Sequence, residues 1–338
     1  MTTQYFRPIP MMDAARPASA LTIAGGWCWF DRVEVLERGR KPQIISDSDV
    51  PQWALDAITA PRADIAGLSL AKPQMMGILN VTPDSFSDGG QFDAPVAALA
   101  QAAAMAEHGA SIIDIGGEST RPGAVEVAVD QEIERTQGII AQVAGTGTVV
   151  SIDTRKAPVA KAAADAGALI LNDVSAMEFD PEMSNVAAQT QLPICLMHAQ
   201  GLPEFMQDDP RYDDVLLDVY DYLAGRIDAA VAAGVDRSRI ITDPGIGFGK
   251  TKGHNLALLR RLSLFHTLGC PILLGASRKR FIGEISNAQD AAERASGSVS
   301  VALDGIRHGV QIVRVHDTLE TKQALSLMFA VNGVGHDS

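Results

Sequence analysis

Eight short β-rich runs, each followed by an Ala- and Leu-rich helical stretch, constrain the fold more than any other feature of the sequence. The runs span 75–79, 112–115, 149–152, 168–171, 193–197, 240–242, 271–274 and 311–315. The helical stretches lie near 93–108, 129–144, 156–166, 181–190, 214–233, 255–268, 290–308 and 319–331. Strict alternation of strand and helix implies parallel strands joined by crossover helices. Eight such units predict an α/β fold, a closed (β/α)8 TIM barrel. A doubly wound open sheet is the rival, and the count favours closure. Several helices end at a glycine ahead of the next strand, as at Gly109, Gly167 and Gly234, where the chain past a helix end favours positive φ.

Residues 1–72 follow another pattern and hold all three tryptophans. Runs at 21–23 and 27–35 read as short strands around Gly25-Gly26, a hairpin. Residues 50–58 suit a short helix beginning near Pro51. The expected organisation is an N-terminal appendage at 1–72 and a barrel domain at 73–338.

In a barrel, functional groups sit where strands end and loops begin. Every run here is followed by a polar or charged group: Asn80, the stretch Gly116 to Gly123, Asp153, Asn172-Asp173, His198, Asp243, Ser277 to Arg280, and Arg314 with His316-Asp317. Taken singly, these read as helix caps or solvated charges; Asp173 and Asp317 fit that role best. Eight of eight calls for more than capping. Arg121, Lys279, Arg314 and His316 suit a phosphate-bearing anion. Asp153, Asn172 and Asp243 suit the mixed donor and acceptor edges of a heterocycle such as an aminopyrimidinone. The loop from Asn80 to Gly90 is rich in Asp, Ser, Thr, Pro and Gly, yet carries Phe86. An aromatic there suits a lid over a flat substrate.

Net charge is −13, which argues against a nucleic-acid partner. No run reaches membrane-spanning length, and residues 1–8 lack the apolar core of a secretion signal. Cys28, Cys195 and Cys270 have neither paired nor metal-like spacing, as expected in a reducing compartment. The expectation is a cytoplasmic protein. No His, Cys and carboxylate cluster has transition-metal spacing. A Mg2+ held mainly by phosphate oxygens and one side-chain oxygen leaves no such signature. No P-loop or GxSxG elbow occurs.

Met76 to Gly90, in full MGILNVTPDSFSDGG, closely resembles the first signature of the dihydropteroate synthase family, and Asp114 to Gly123 its second. Asp153-Thr154, Asn172-Asp173, Asp243 to Asn255, Ser277-Arg278-Lys279 and Arg314 to Asp317 resemble further motifs in the same order. The resemblance covers about residues 74–331. It implies the condensation of 7,8-dihydropterin-6-ylmethyl diphosphate with 4-aminobenzoate, giving dihydropteroate and diphosphate, as a Mg2+-dependent homodimer and a sulfonamide target. It implies catalytic roles for Asp153, Lys279 and Arg314. The pterin diphosphate would meet Thr120, Asp153, Asn172, Asp243, Lys279, Arg314 and His316. Phe86, Thr120, Arg121, Pro122, Phe248 and Arg280 would shape the aminobenzoate site, and Asn80 would hold the metal. Glu118 is expected to bond loop backbone, and His198 to be a core-facing polar group or a pocket wall.

The chain departs from the family pattern in a few places. Ala199 stands where Met is frequent. Pro158 falls one place late. Arg280 stands where many members have a small hydroxyl and others have Arg, and Thr318 replaces a frequent Val and suits a helix cap. A pterin-dependent methyltransferase barrel and a non-catalytic pterin-binding paralogue are the alternatives. The Arg314-Val315-His316 triplet argues against the first, and the presence of Asn80, Asp153 and Lys279 against the second.

Overall fold

The computed structural model describes residues 3–82, 94–119, 125–201, 206 and 208–333. The N-terminal part opens with β1 (Gln4–Pro8), followed by β2 (Leu21–Thr22), β3 (Trp29–Phe30), β4 (Arg32–Glu37), β5 (Gln43–Ser46) and helix α1 (Gln52–Thr59). β2 and β3 form the expected hairpin, with its left-handed residues at Ala24 and Gly25. The sequence reading missed β1 and β5. They flank β4 in a three-stranded antiparallel sheet. Both are short; β1 pairs with residues far along the chain, Gln4 with Glu37, and β5 is a four-residue hairpin return onto β4, too brief for periodicity to reveal.

The barrel strands are β6 (Gln74–Asn80), β7 (Ile112–Gly116), β8 (Val149–Asp153), β9 (Ile170–Asp173), β10 (Ile194–Met197), β11 (Ile240–Asp243), β12 (Leu273–Leu274) and β13 (Ile312–Val315). They lie in the order β11-β10-β9-β8-β7-β6-β13-β12. A parallel bridge between Thr242 and Ile272 joins the two end strands and closes the sheet. The barrel helices are α2 (Ala94–Glu107), α3 (Val129–Ala144), α4 (Ala157–Asp165), α5 (Met183–Thr190), α6 (Val215–Ala232), α7 (Lys252–Leu259), α8 (Arg280–Ser286), α9 (Ala295–Arg307) and α10 (Thr318–Val331).

Local chemistry sets these boundaries. Asp214 caps α6 by accepting from Leu216 N and Leu217 N. Thr251 and His254 close a reciprocal capping pair on α7. Pro158 falls in the first turn of α4, where its missing N–H is harmless; this accommodates its late position. The expected helix at 255–268 is two elements, α7 and a 3-10 segment Leu262–Leu268. Helix α8 was not expected. It is short, and Asn287 ends it in the left-handed conformation.

Side chains alternate between the two faces of each strand, so the barrel interior reads off in layers. Its floor is apolar: Met76, Ile112, Ile170, Cys195, Ile241, Leu273 and Ile312 form one buried cluster. Ile65 and Leu70, from the segment leading into β6, complete this cluster. Outside the strands, residues of the N-terminal sheet such as Phe6 and Val33 share one hydrophobic core with the barrel helices. Polar ties reinforce that contact. Tyr5 OH donates to Asp221 at 2.9 Å, Arg261 Nη2 reaches Glu34 Oε1 at 3.0 Å, and Trp27 Nε1 donates to Ile306 O at 2.8 Å. Among the described residues no helix is long and apolar enough to cross a membrane.

Candidate functional site

Above the apolar floor the interior becomes polar, and strand register explains why. Asn80 lies opposite Gly116, Gly116 opposite Asp153, and Asp153 opposite Asn172. One row across four strands thus points an amide, a gap, a carboxylate and a second amide into the mouth. The gap matters. A Cβ at Gly116 would lie 3.5 Å from Asp153 Cβ and 3.8 Å from Asn80 Oδ1, so glycine lets Asn80 and Asp153 face a common space.

One turn of the pleat deeper lies Asp114, fully buried. It accepts from Arg314 Nε at 2.6 Å and from Asn172 Nδ2 at 3.0 Å. Arg314 Nη2 reaches on to Asp153 Oδ2 at 2.7 Å. One guanidinium therefore bridges two carboxylates, the forked geometry only Arg provides. The Oδ1 atoms of Asp114 and Asp153 are buried without a hydrogen-bond partner. Unpaired buried oxygens of this kind are costly and mark a site built for donors. Asp114 is the functional residue the sequence reading gave no role. It precedes the strand end by two residues, so a search of strand ends alone passes over it.

Electrostatics follow from burial. Desolvation pushes the Asp153 carboxyl up to about 7; Arg314 opposes the rise and Asp114 adds to it. Burial raises Asp243 as well, against Lys279 and the Gly245 N–H. The Lys279 ammonium is lowered to about 8 by burial, with Asp243 opposing. Arg314 is held more firmly charged than a free guanidinium: burial works against its charge, but Asp114 and Asp153 outweigh it.

The remaining strand ends supply the rest of the wall. Asp243 Oδ1 accepts from Gly245 N at 2.7 Å. Gly245 and Gly247 have positive φ, and a Cβ on Gly247 would sit 2.9 Å from Lys279 Cδ. That close approach lets Lys279 Nζ bond Ile246 O and lie 4.4 Å from the Phe248 ring centroid. His316 N and Nδ1 both meet Ser277 Oγ, at 3.2 and 3.0 Å, which fixes the imidazole. A cavity of about 290 Å³ opens beside these groups, lined in part by Arg155, Val174, Phe179, Ala199, Tyr222 and Phe248.

Of the residues singled out in the sequence, the structure brings Asn80, Asp153, Asn172, Asp243, Phe248, Lys279, Arg314 and His316 to the mouth end of the strands. Arg280 stands apart, its side chain 88% exposed and paired with Glu284 Oε1 at 2.9 Å. Phe86, Thr120, Arg121 and Pro122 lie outside the described residues. Glu118 bonds loop backbone as expected, accepting from Val127 N at 2.7 Å. His198 is a core polar group: it is buried, and its Nδ1 meets Lys250 Nζ at 2.8 Å. Asp173 serves its loop, accepting from Ser175 N and Met177 N. Asp317 does not cap α10; its carboxylate takes Arg278 instead. Thr318 does not cap it either, its hydroxyl meeting His108 Nδ1 at 3.1 Å. Both side chains are drawn off the helix end by partners on other elements.

The fold and site define a parallel-barrel enzyme whose mouth pairs buried carboxylates and amides with a cationic rim. The family model described as "Pterin binding enzyme" matches residues 76–316, and the chain belongs to that family. Its relatives narrow the class. The dihydropteroate synthase of Escherichia coli (strain K12) is 45% identical over 264 residues, which span 78% of this chain and 93% of that protein. Dihydropteroate synthase of Xanthomonas albilineans, solved with 4-aminobenzoic acid, superposes with a TM-score of 0.76 at 44% identity, over 81% of this chain and 99% of the other. The same enzyme solved with 7,8-dihydropteroate gives a TM-score of 0.74 at 41% identity, over 81% and 100%.

Proposed function

We propose that this chain is a dihydropteroate synthase, joining 7,8-dihydropterin-6-ylmethyl diphosphate to 4-aminobenzoate in folate biosynthesis. The observation that carries the reading is the Asp114–Arg314–Asp153 chain beside Asn172, with two carboxylate oxygens left buried and unpaired. A pterin ring offers N–H donors to those oxygens and acceptors to Asn172 and Lys279. Asp243 takes a further donor on the same edge. Arg314 lies against the ring face.

The reaction breaks the bond between the pterin methylene carbon and the diphosphate oxygen, and the electron pair leaves with diphosphate. The methylene carbon becomes cationic, in conjugation with the ring. Asp153, held in a low-dielectric wall, stabilises that positive charge as it grows. Arg314 and His316 receive the charge on the leaving group. The amine nitrogen of 4-aminobenzoate then donates its lone pair to the carbon and releases a proton to water. A strong base is not required, because the amine attacks neutral.

Mg2+ is the metal this site fits. Among the described residues no group of three or more His, Cys, Asp or Glu is placed to hold a metal. Asn80 offers one hard oxygen beside Gly116 and Asp153, which suits an ion held mainly by substrate oxygens. Bound there, Mg2+ would neutralise the diphosphate as it leaves. Phe86, Thr120, Arg121, Pro122 and Phe248 would frame the aminobenzoate; Arg280, exposed and paired with Glu284, would take no part. The enzyme acts in the cytoplasm, which suits three free, buried cysteines. It is a homodimer joined through its C-terminal helices, where Leu327 and Val331 are exposed.

The test is diphosphate release from the pterin substrate with Mg2+, with and without 4-aminobenzoate. The reading requires an aminobenzoate-dependent product. Tight pterin binding without that product would instead mark a non-catalytic pterin-binding protein.

A further inference from the structure

Residues 1–72 take no part in the chemistry above, and the family match begins only at residue 76. Two of their side chains nonetheless tie into the barrel where α6 begins. That is the mouth end, since each barrel helix follows the C-terminal end of a strand. Arg38, just past β4, forks onto α6: Nη1 donates to Asp218 Oδ1 at 2.6 Å and Nη2 to Asp221 Oδ2 at 2.7 Å. Tyr5 OH, from β1, donates to the same Asp221 at 2.9 Å. The other oxygen of Asp218 faces the mouth. It accepts from Asp213 N at 3.0 Å and from Asp214 N at 3.2 Å. One carboxylate thus joins the appendage to the turn that enters α6.

Tyr212 immediately precedes that turn, and its hydroxyl donates to Gly249 O at 2.7 Å. Its ring lies edge-on to His254, centroids 4.9 Å apart. Beside it, the Gln200 side chain grips Arg211 by both backbone groups, at 3.1 Å from N and 2.9 Å from O. Gly249 has a φ of +59°, and a Cβ there would overlap Gln200 O, so the loops after β10 and β11 interlock. The β11 loop in turn meets a catalytic group. Its Ile246 O accepts from Lys279 Nζ, and its Phe248 ring lies 4.4 Å from that nitrogen. An ion pair, a capped turn, one phenolic hydrogen bond and a glycine loop therefore connect Arg38 to Lys279.

We infer that the N-terminal appendage positions the loop 245–249 of the catalytic mouth, with Arg38, Asp218 and Tyr212 as the positioning residues that carry its effect. Gly245, Gly247 and Gly249 all have positive φ. Such a loop loses much backbone entropy when ordered, so ties from outside it matter. The Tyr212 hydroxyl is one such tie, and Gly249 is buried, so removing it deprives a buried carbonyl of a donor. The positioning of the loop stands on these contacts; its consequence for turnover rests on the proposed function. An appendage that only added stability would shift the unfolding midpoint and leave the folded enzyme's kcat/KM unchanged.

The experiment uses the full chain and four variants: Arg38→Ala, Arg38→Lys, Tyr212→Phe, and Arg38→Ala combined with Tyr212→Phe. Hydrogen exchange over residues 245–250, read by mass spectrometry, reports on the loop without substrate. The segment has protection to lose: Gly245 N donates to Asp243 Oδ1, Gly247 N to Asn255 Oδ1 and Phe248 N to Gly245 O. Exchange there should quicken about tenfold in Tyr212→Phe and about threefold in Arg38→Ala. Strands β10 and β13 of the apolar floor should exchange as in wild type. Well below the unfolding midpoint, kcat/KM should fall in the same order and by similar factors. Arg38→Lys keeps one of the two ion pairs and should lie between wild type and Arg38→Ala. In the Tyr212→Phe background, Arg38→Ala should cost less than about 1.5-fold more, because the two act in series. Effects that multiply in full in the double variant overturn the inference. So does a lowered midpoint for Arg38→Ala with loop exchange and kcat/KM both at wild-type values. A wild type without turnover would sink the proposed function, and the exchange results then decide this inference alone.

Discussion

Asp153→Asn separates stability from catalysis in a way that follows from where the carboxylate sits. Its carboxyl titrates at about 7 in the folded chain against an ordinary value of 3.8, because burial penalises the anion more than Arg314 rewards it. A folded-state value above the unfolded one means that the native state holds the proton more tightly. The contribution to stability is therefore full below pH 3.8 and is lost as pH rises to about 7. The shift is about three pH units, so an ionised Asp153 weakens the empty protein by up to about 4 kcal/mol above pH 7. Asn mimics the neutral acid in shape and escapes this penalty. The two proteins should be equally stable near pH 4. The variant should lead by about 2 kcal/mol near pH 5.5 and by up to about 4 kcal/mol at pH 8. Denaturant unfolding monitored by circular dichroism at those three pH values measures the difference. At pH 8, where wild-type Asp153 is ionised, kcat should fall by about a hundredfold to a thousandfold, the usual loss when one group aimed at developing charge is removed. A variant that keeps wild-type turnover, or is no more stable at pH 8 than at pH 4 relative to wild type, would refute the reasoning.

Three further outcomes follow from the same geometry. Arg314→Lys offers one point charge where a fork now spans Asp114 and Asp153, so turnover should fall at least about a hundredfold, read by steady-state kinetics. Gly245→Ala forces a Cβ to within 1.8 Å of His198 O at a φ of +65°; thermal unfolding should show a loss of more than about 3 kcal/mol. Turnover needs Asp153 ionised and Lys279 protonated, so kcat/KM should rise with pH through about 7 and decline above about 8. A flat profile over that range would show that other groups control the rate.

Much of this was legible in the sequence because the barrel writes itself locally. Each strand is a short apolar run and each helix a periodic one, and the strand-end rule then locates Asp153, Asn172, Asp243 and Arg314. What stayed hidden depends on contacts between distant positions. Asp114 looks like a polar interruption inside Ile112 to Ile115 until Arg314, 200 residues later, is seen to bind it. Asp317 has the position of a helix cap, but Arg278 takes its carboxylate. Strands β1 and β5 have no signal of their own and exist only as flanks of β4. Lys156 reads as a charge before a helix; only the fold shows it closing on Glu118, Glu132 and Val127 at once.

The central claim is that this barrel makes a carbon–nitrogen bond between a pterin methylene and an aromatic amine. Incubating the protein with pterin diphosphate, Mg2+ and ring-labelled 4-aminobenzoate, and following the label by mass spectrometry, tests it most directly. The account predicts labelled 7,8-dihydropteroate appearing in step with one diphosphate per product, and none from Asp153→Asn on the same time scale. Diphosphate release with the label remaining in free 4-aminobenzoate would contradict it.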